Sequence, residues 1–128
     1  MKVAIIGSRS FQNYELFKLK LLPYRTSIAE IASGGADGAD RLGEIYAKEN
    51  NIPVKVLPAD WDDFSEPCKI KYNSSGKPYN ALAGFKRNQL IIENADFIIA
   101  FWDGKSPGTR DSMQKAHKMR KDILIIYF

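Results

Sequence analysis

Ser33–Gly–Gly–Ala–Asp–Gly–Ala–Asp40 holds the densest set of residues able to grip an anion. Glycines let a backbone turn tightly and approach a ligand with no Cβ in the way. The run follows Ile28, Ala29, Ile31 and Ala32, which read as a short buried strand. It precedes Ala39, Leu42, Gly43 and Tyr46, spaced as the inner face of a helix. A loop at that junction points free N–H groups and the positive end of the helix dipole at one place, where a phosphate would sit. The plain alternative is a tight turn capped by Asp37, with Asp40 in the first helical turn. Arg9 and Arg87 are the side chains best suited to bidentate contact with phosphate oxygens, Arg9 having a surface ion pair as its ordinary alternative. Asp37 and Asp40 suit helix capping and ribose hydroxyls. Asp103 ends an apolar strand, where a carboxylate needs a reason, and a ribose or a polarised water would supply one. Trp102 beside it reads as a base-stacking side chain or a core tryptophan.

Other chemistries find little support. The single histidine, His117, falls in a basic helical stretch and reads as a surface residue, and no cluster has metal-ligand spacing. There is no Ser-His-Asp pattern, and the phosphate loop ending in Gly-Lys-Ser/Thr is absent. Neither a metal nor a cofactor is expected. One cysteine, Cys68, allows no intrachain disulfide. No apolar run approaches the ~20 residues of a membrane span. The first strand follows Met1 directly and leaves no room for a leader, so the expected location is cytoplasmic.

Five strands alternating with helices must position these residues. Lys2–Ile6 is an apolar run ending at Gly7, and Gly7-Ser8-Arg9-Ser10 is a second turn at a strand end. A helix is expected over 14–22 before Pro23, a strand over 28–32, a helix to about Asn50, and a strand over 54–57. From 58 to 80 no period is clean, and Asn73-Ser-Ser-Gly-Lys-Pro78 is a loop by composition. So long an irregular segment reads as a lid or binding loop, or as an insertion without a role. A helix is expected over 81–94, the strongest strand over 97–101, a helix over 109–120 with Met113, Ala116 and Met119 inward, and a last strand over 123–127. This alternation predicts one domain over residues 1–128, a Rossmann-like α/β three-layer sandwich on a five-stranded parallel sheet. Right-handed crossovers leave few topologies, and strand order 3-2-1-4-5 is expected. Ligands bind at the carboxyl edge beside the switch point, here between the first and fourth strands. Three turns meet there: Gly7–Arg9, Ser33–Gly35, and Asp103 to Thr109.

With 128 residues, 45% hydrophobic and 12% aromatic, the chain has material for one such core. The net charge of +4 suits an anionic ligand, while Lys105, Arg110, Lys115, Lys118, Arg120 and Lys121 read as a solvated helix face ahead of a nucleic-acid patch.

Taken in order, Gly7-Ser8-Arg9, Ser33 to Asp40, Ala59-Asp60-Trp61, Arg87-Asn88, Ala95-Asp96, Phe101-Trp-Asp-Gly104 and Ser106-Pro-Gly-Thr109 resemble the small YspA-type proteins of the SLOG superfamily across nearly the whole chain. The resemblance implies a Rossmann-like fold, in a superfamily that includes cytokinin-activating LOG phosphoribohydrolases, a DNA-processing protein that loads recombinase onto single strands, and sensor domains for NAD-derived nucleotides in bacterial defence systems; a bacterial or phage source is expected. It implies that the glycine loops hold the phosphate and ribose of a nucleotide. Gly108-Thr109 is similar to the glycine-threonine step of the LOG phosphate loop. Arg87 stands where a LOG enzyme has an arginine, but Asn88 replaces the following lysine. The LOG glutamate, three residues after the threonine, is Ser112 here; Asp111 precedes it, turned ~100° away on a helix.

The candidate ligand contacts are therefore Gly7, Ser8, Arg9, Ser33, Gly34, Gly35, Asp37, Gly38, Asp40, Arg87, Asn88, Trp102, Asp103, Gly104, Ser106, Gly108 and Thr109. For an enzyme the catalytic candidates are Arg87, Asp103 and Asp111. The favoured function is binding or sensing a nucleotide or NAD-derived nucleotide. A LOG-like N-glycosidic hydrolase is the first alternative. A nucleic-acid-binding protein is the second, set lower because no interleaving of aromatic and basic residues suggests a stacking platform. Self-association is left open.

Overall fold

Every side chain of Val3-Ala-Ile-Ile6 is apolar, so this segment is at rest only where both faces of a sheet are covered. The computed structural model, which describes residues 1–128, places it as β1 (Lys2–Gly7) in the middle of the sheet. In chain order there follow α1 (Tyr14–Leu21), a 3-10 turn (Leu22–Ser27), β2 (Glu30–Ser33), α2 (Ala39–Glu49), β3 (Val54–Val56), β4 (Ile70–Tyr72), β5 (Pro78–Asn80), α3 (Ala83–Glu93), β6 (Phe97–Trp102), α4 (Pro107–Lys118) and β7 (Asp122–Tyr127). The main sheet has five strands in the order β3-β2-β1-β6-β7, all parallel. With the β4–β5 pair set aside this is the expected 3-2-1-4-5 order, and the switch point lies between β1 and β6.

The period of two along each strand divides the core. Val3, Ile5, Ile31, Ile99 and Phe101 face one way, against Phe11, Phe17 and Leu21 before and within α1 and against Ala39, Tyr46 and Ala47 of α2. Ala4, Ile6, Ala32, Ile98 and Ala100 face the other way, against Ile91 and Ile92 of α3 and Ala116 of α4. Met113 and Met119 pack against this second cluster, so their role is structural. Phe11, Phe101 and Phe17 form a stack, with ring centroids 4.5 and 5.0 Å apart. No helix is long and apolar enough to cross a membrane.

The structure differs from the sequence reading over 58–80, which is not irregular throughout. Ile70–Tyr72 and Pro78–Asn80 pair antiparallel as a separate two-stranded hairpin. Strands of three residues are too short to show a period, and the Asn-rich turn between them dominates the composition. Asn73 organises that turn, its Oδ1 accepting the N–H groups of Ser75 and Lys77, each at 3.0 Å. Asn80 anchors the segment. It is fully buried, its Oδ1 accepts from the N–H groups of Lys69 (3.1 Å) and Leu82 (2.9 Å), and its Nδ2 donates to the carbonyls of Asp63 (2.8 Å) and Pro67 (3.3 Å). Lys86 of α3 adds a second tie, donating to Asp63 Oδ2 at 2.8 Å and to the Ser65 carbonyl at 3.1 Å.

Candidate functional site

The carboxyl ends of β1, β2 and β6 deliver three turns to one edge of the sheet, and a cavity of about 550 Å3 opens there between them and α3. Small-molecule sites span roughly 300–1,000 Å3. Gly7, Ser8 and Arg9 line it from the first turn, Asp40 from the start of α2, Arg87 and Asn88 from α3, Ser106 from the turn before α4, and Gly108, Thr109 and Ser112 from α4. Five further candidates, Gly34, Gly35, Asp37, Gly38 and Ser33, belong to the glycine loop but stand behind or beside this lining. Trp102, Asp103 and Gly104 lie outside it.

The loop residues build the edge. Ser8, almost fully buried, takes hydrogen bonds at its Oγ from the Ser106 hydroxyl (2.8 Å) and the Asp103 N–H (3.2 Å), tying the turn after β1 to the turn after β6. Asp103 Oδ1 accepts the N–H groups of Ser106 and Lys105, each at 2.8 Å, and these two backbone donors hold its carboxyl down to about 2. Ser33 Oγ accepts from the Gly35 N–H (3.1 Å), and its single proton has two acceptors within reach, Glu44 Oε2 (3.1 Å) and the Asp40 carbonyl (3.3 Å). Trp102 donates its indole N–H to the Ser106 carbonyl at 3.2 Å, packs on Tyr127 and lies under Arg110.

Asp37 does not cap α2. It is exposed, 3.7 Å from Arg41, and the helix starts after Gly38 with no side-chain cap. The reason is the route of the loop: Gly38 passes so close to Ser8 that the Ser8 carbonyl receives the Ala39 N–H, at 3.5 Å.

Arg87 and Asp40 give the cavity its charge. Arg87 is half-buried, its Nη1 donating to the Gly34 carbonyl at 2.6 Å and its Nε to Asn88 Oδ1 at 3.1 Å. Those bonds use two of the guanidinium's five N–H donors. Burial lowers the Arg87 pKa and the neighbouring Asp40 carboxylate opposes this. Asn88 in turn donates to the Gly108 carbonyl (3.3 Å) and Asp111 Oδ2 (3.2 Å), linking α3 to α4. Asp111 is also paired with Lys115 and does not line the cavity, whereas Ser112 does. Asp40 is 7% exposed, and burial raises its carboxyl to about 6 against the pull of the Ala36 N–H and Arg87.

At the start of α4 no side chain caps the helix. The first N–H groups of any helix lack intrahelical partners, and Pro107 has none to offer. The donors of Gly108 and Thr109 therefore sit at the cavity wall with the positive end of the helix dipole. Together with Arg87 and the exposed Arg9, they put positive charge and free N–H donors on one wall of the cavity.

Trp61 and Phe85, which the sequence reading did not assign to the site, form the cavity's aromatic wall. Phe85 had a readable signal. Gly84, Arg87, Asn88 and Ile91 all line the cavity and recur at helical spacing, so this face of α3 was traceable from Arg87. No group of three His, Cys, Asp or Glu side chains is placed to hold a metal ion.

Comparison with known proteins follows this geometry. A model of the YspA, cpYpsA-related SLOG family (YAcAr) matches residues 1–64, from β1 through Trp61. Among solved structures, the chain is similar to DNA processing protein A from Helicobacter pylori, described for its single-stranded DNA binding mode. The two are 25% identical with a TM-score of 0.66, over 98% of this chain and 64% of that one. It is also similar in fold to DNA processing protein A (DprA) from Streptococcus pneumoniae, 18% identical with a TM-score of 0.73, over 97% of this chain and 49% of that one. This chain thus spans less than two thirds of either protein. No curated protein sequence matches it. Half of the chain, including the glycine loop that organises the site, matches the family model, and the protein belongs to the YspA, cpYpsA-related SLOG family.

Proposed function

We propose that the cavity binds a nucleotide by its phosphorylated sugar, with the phosphate held by Arg87, Arg9 and the N–H groups of Gly108 and Thr109. The observation that carries this reading is Arg87. A half-buried guanidinium is fixed by the Gly34 carbonyl and Asn88, and it faces the cavity beside an uncapped helix start. Nucleotides and NAD-derived nucleotides both present the required phosphate and sugar. A second reading, in which the bound nucleotide belongs to a DNA strand, is favoured by the likeness to the Helicobacter pylori protein and its single-stranded DNA binding. Nucleic acid therefore stands higher than the sequence alone placed it.

Glycosidic hydrolysis has weaker support. Ser112 stands at the cavity wall where a LOG enzyme has its glutamate, Asp111 is turned to Lys115 and Asn88, and Asp40 is the one carboxylate among the lining residues.

Equilibrium titration with AMP, dTMP, NAD and an oligothymidylate tests the proposal. Hydrogen bonds to a charged group contribute about 1.5–3 kcal/mol, so Arg87→Ala is expected to weaken binding at least about tenfold. Wild-type affinity in Arg87→Ala, with its melting behaviour intact, would place the site elsewhere.

A further inference from the structure

The cavity's aromatic wall has another side. Trp61 also lines a second hollow, of about 370 Å3, with Asp62, Asn73, Lys77, Pro78 and Tyr79. The indole is 45% exposed, an unusual position for so large an apolar side chain, yet it is firmly placed. Tyr79 meets it edge-on with ring centroids 6.1 Å apart. Its far edge lies over Gly84 of α3, where an added Cβ would stand 3.6 Å from Cη2. The Trp61 carbonyl accepts the Asn80 N–H at 2.8 Å, and Asn80 anchors the whole hairpin.

Charge around the hollow fits phosphate. Lys77 is the one cation in its lining and Asp62 the one carboxylate, while Lys71 on the hairpin and Lys69 just before it add positive charge nearby. Lys71 is directly opposite Tyr79 in the pairing and so shares the face on which Tyr79 reaches Trp61. Lys77 has an ion-pair partner in Asp62, at 3.7 Å, but both side chains are two-thirds exposed. A surface pair of that kind is weak enough for a phosphate to displace.

We propose that this hollow is a subsite for a second nucleotide unit, so that the ligand carries two or more nucleotides joined through phosphate. Trp61 is the stacking wall between the two units, and Lys77 meets the phosphate of the second. The inference rests on the proposed nucleotide reading of the large cavity and extends it along the surface. Aromatic side chains stack on any base, so this subsite adds affinity with little preference for base identity.

The test compares one-unit and two-unit ligands on the full chain: dTMP with the dinucleotide pdTpdT, and AMP with NAD. One stacked base with its phosphate contact is expected to tighten binding about tenfold in at least one of the two pairs. A gain with pdTpdT identifies a nucleic-acid strand as the source, and a gain with NAD a pyrophosphate-linked dinucleotide. Lys77→Ala/Tyr79→Leu should reduce the two-unit affinity to that of the mononucleotide and leave the mononucleotide affinity unchanged. In a Trp102→Phe background Trp61 is the sole tryptophan, and the two-unit ligand should quench its fluorescence. Trp61→Phe should retain the gain and Trp61→Leu should lose it. Absence of any gain with both ligands overturns the subsite, as does a gain that survives both Lys77→Ala and Lys77→Ala/Tyr79→Leu. Failure of the underlying reading looks different: mononucleotide affinity would be indifferent to Arg87→Ala.

Discussion

Gly38→Val is expected to destabilise the fold by roughly 3–6 kcal/mol, enough to leave much of the chain unfolded. Two costs combine. Gly38 has φ +79° and ψ −130°, a conformation that a β-branched residue adopts only under strain. A Cβ built there would also stand 2.4 Å from the Ser8 carbonyl oxygen and 2.6 Å from that of Arg9. Both are backbone atoms, in a turn that is itself tied to β6 by the Ser8 N–H bonding to Phe101 O at 2.9 Å, so neither can move aside. Gly76→Val is the control. It has φ +80° but open space around it, so only the conformational cost of ~1–3 kcal/mol should apply. Urea unfolding of the two variants separates the terms. Equal losses would show that close approach of the loops after β1 and β2 contributes nothing.

The loop that makes that close approach is also what the sequence signalled best. A run such as Ala32-Ser33-Gly34-Gly35 between a buried strand and a helical period states both a tight turn and its place, and the crossing of the turn after β1 at Gly38 is what the structure adds. β1 and β6 were equally legible, since strands buried on both faces are apolar at every position. The Pro at the first position of α4 marks a helix start, and the helix begins there, two residues before the Thr109 expected from the apolar spacing. β2 was placed early because Ile28 is buried without belonging to the strand. The hairpin was invisible for a different reason: its order comes from Asn80 and Lys86, polar residues acting across 11 to 23 positions of sequence.

The same distinction governs the site. Arg9 and Arg87, read from residue type, stand at the cavity. Asp103 and Ser33 were also read from type, and their polar atoms are used in holding turns together. A carboxylate at a strand end serves a ligand or a loop equally well, and the sequence carries nothing to separate them. Trp61 shows the converse. An aromatic residue in a segment without period has no readable neighbour, and only the anchoring of the hairpin brings it against α3 and the cavity.

Asp40 gives the other large effect, a loss of stability of about 3 kcal/mol as pH rises from about 4 to about 6. The carboxyl is 7% exposed at the start of α2. Burial raises it, and Glu44 adds to this. The Ala36 N–H, at 3.3 Å from Oδ2, the Gly34 N–H and Arg87 pull the other way, and the balance leaves it at about 6. In the unfolded chain an aspartate titrates near 3.9. Below about pH 4 both states hold the proton and the fold has its full stability. Between about 4 and 6 the unfolded chain releases the proton while the native one keeps it, so stability falls as pH rises. Asp63 and Asp103, both held low by hydrogen bonds, act with the opposite sign and below this window. Asp40→Asn, neutral at every pH, should match wild type near pH 4. At pH 7 it should be the more stable protein, by up to the same ~3 kcal/mol, a figure that already includes the attraction of Arg87 for the charged form. Chemical denaturation of both proteins from pH 4 to 7.5 measures the difference directly. Parallel stability curves would show that the Asp40 carboxyl is not the buried titrating group at the cavity floor.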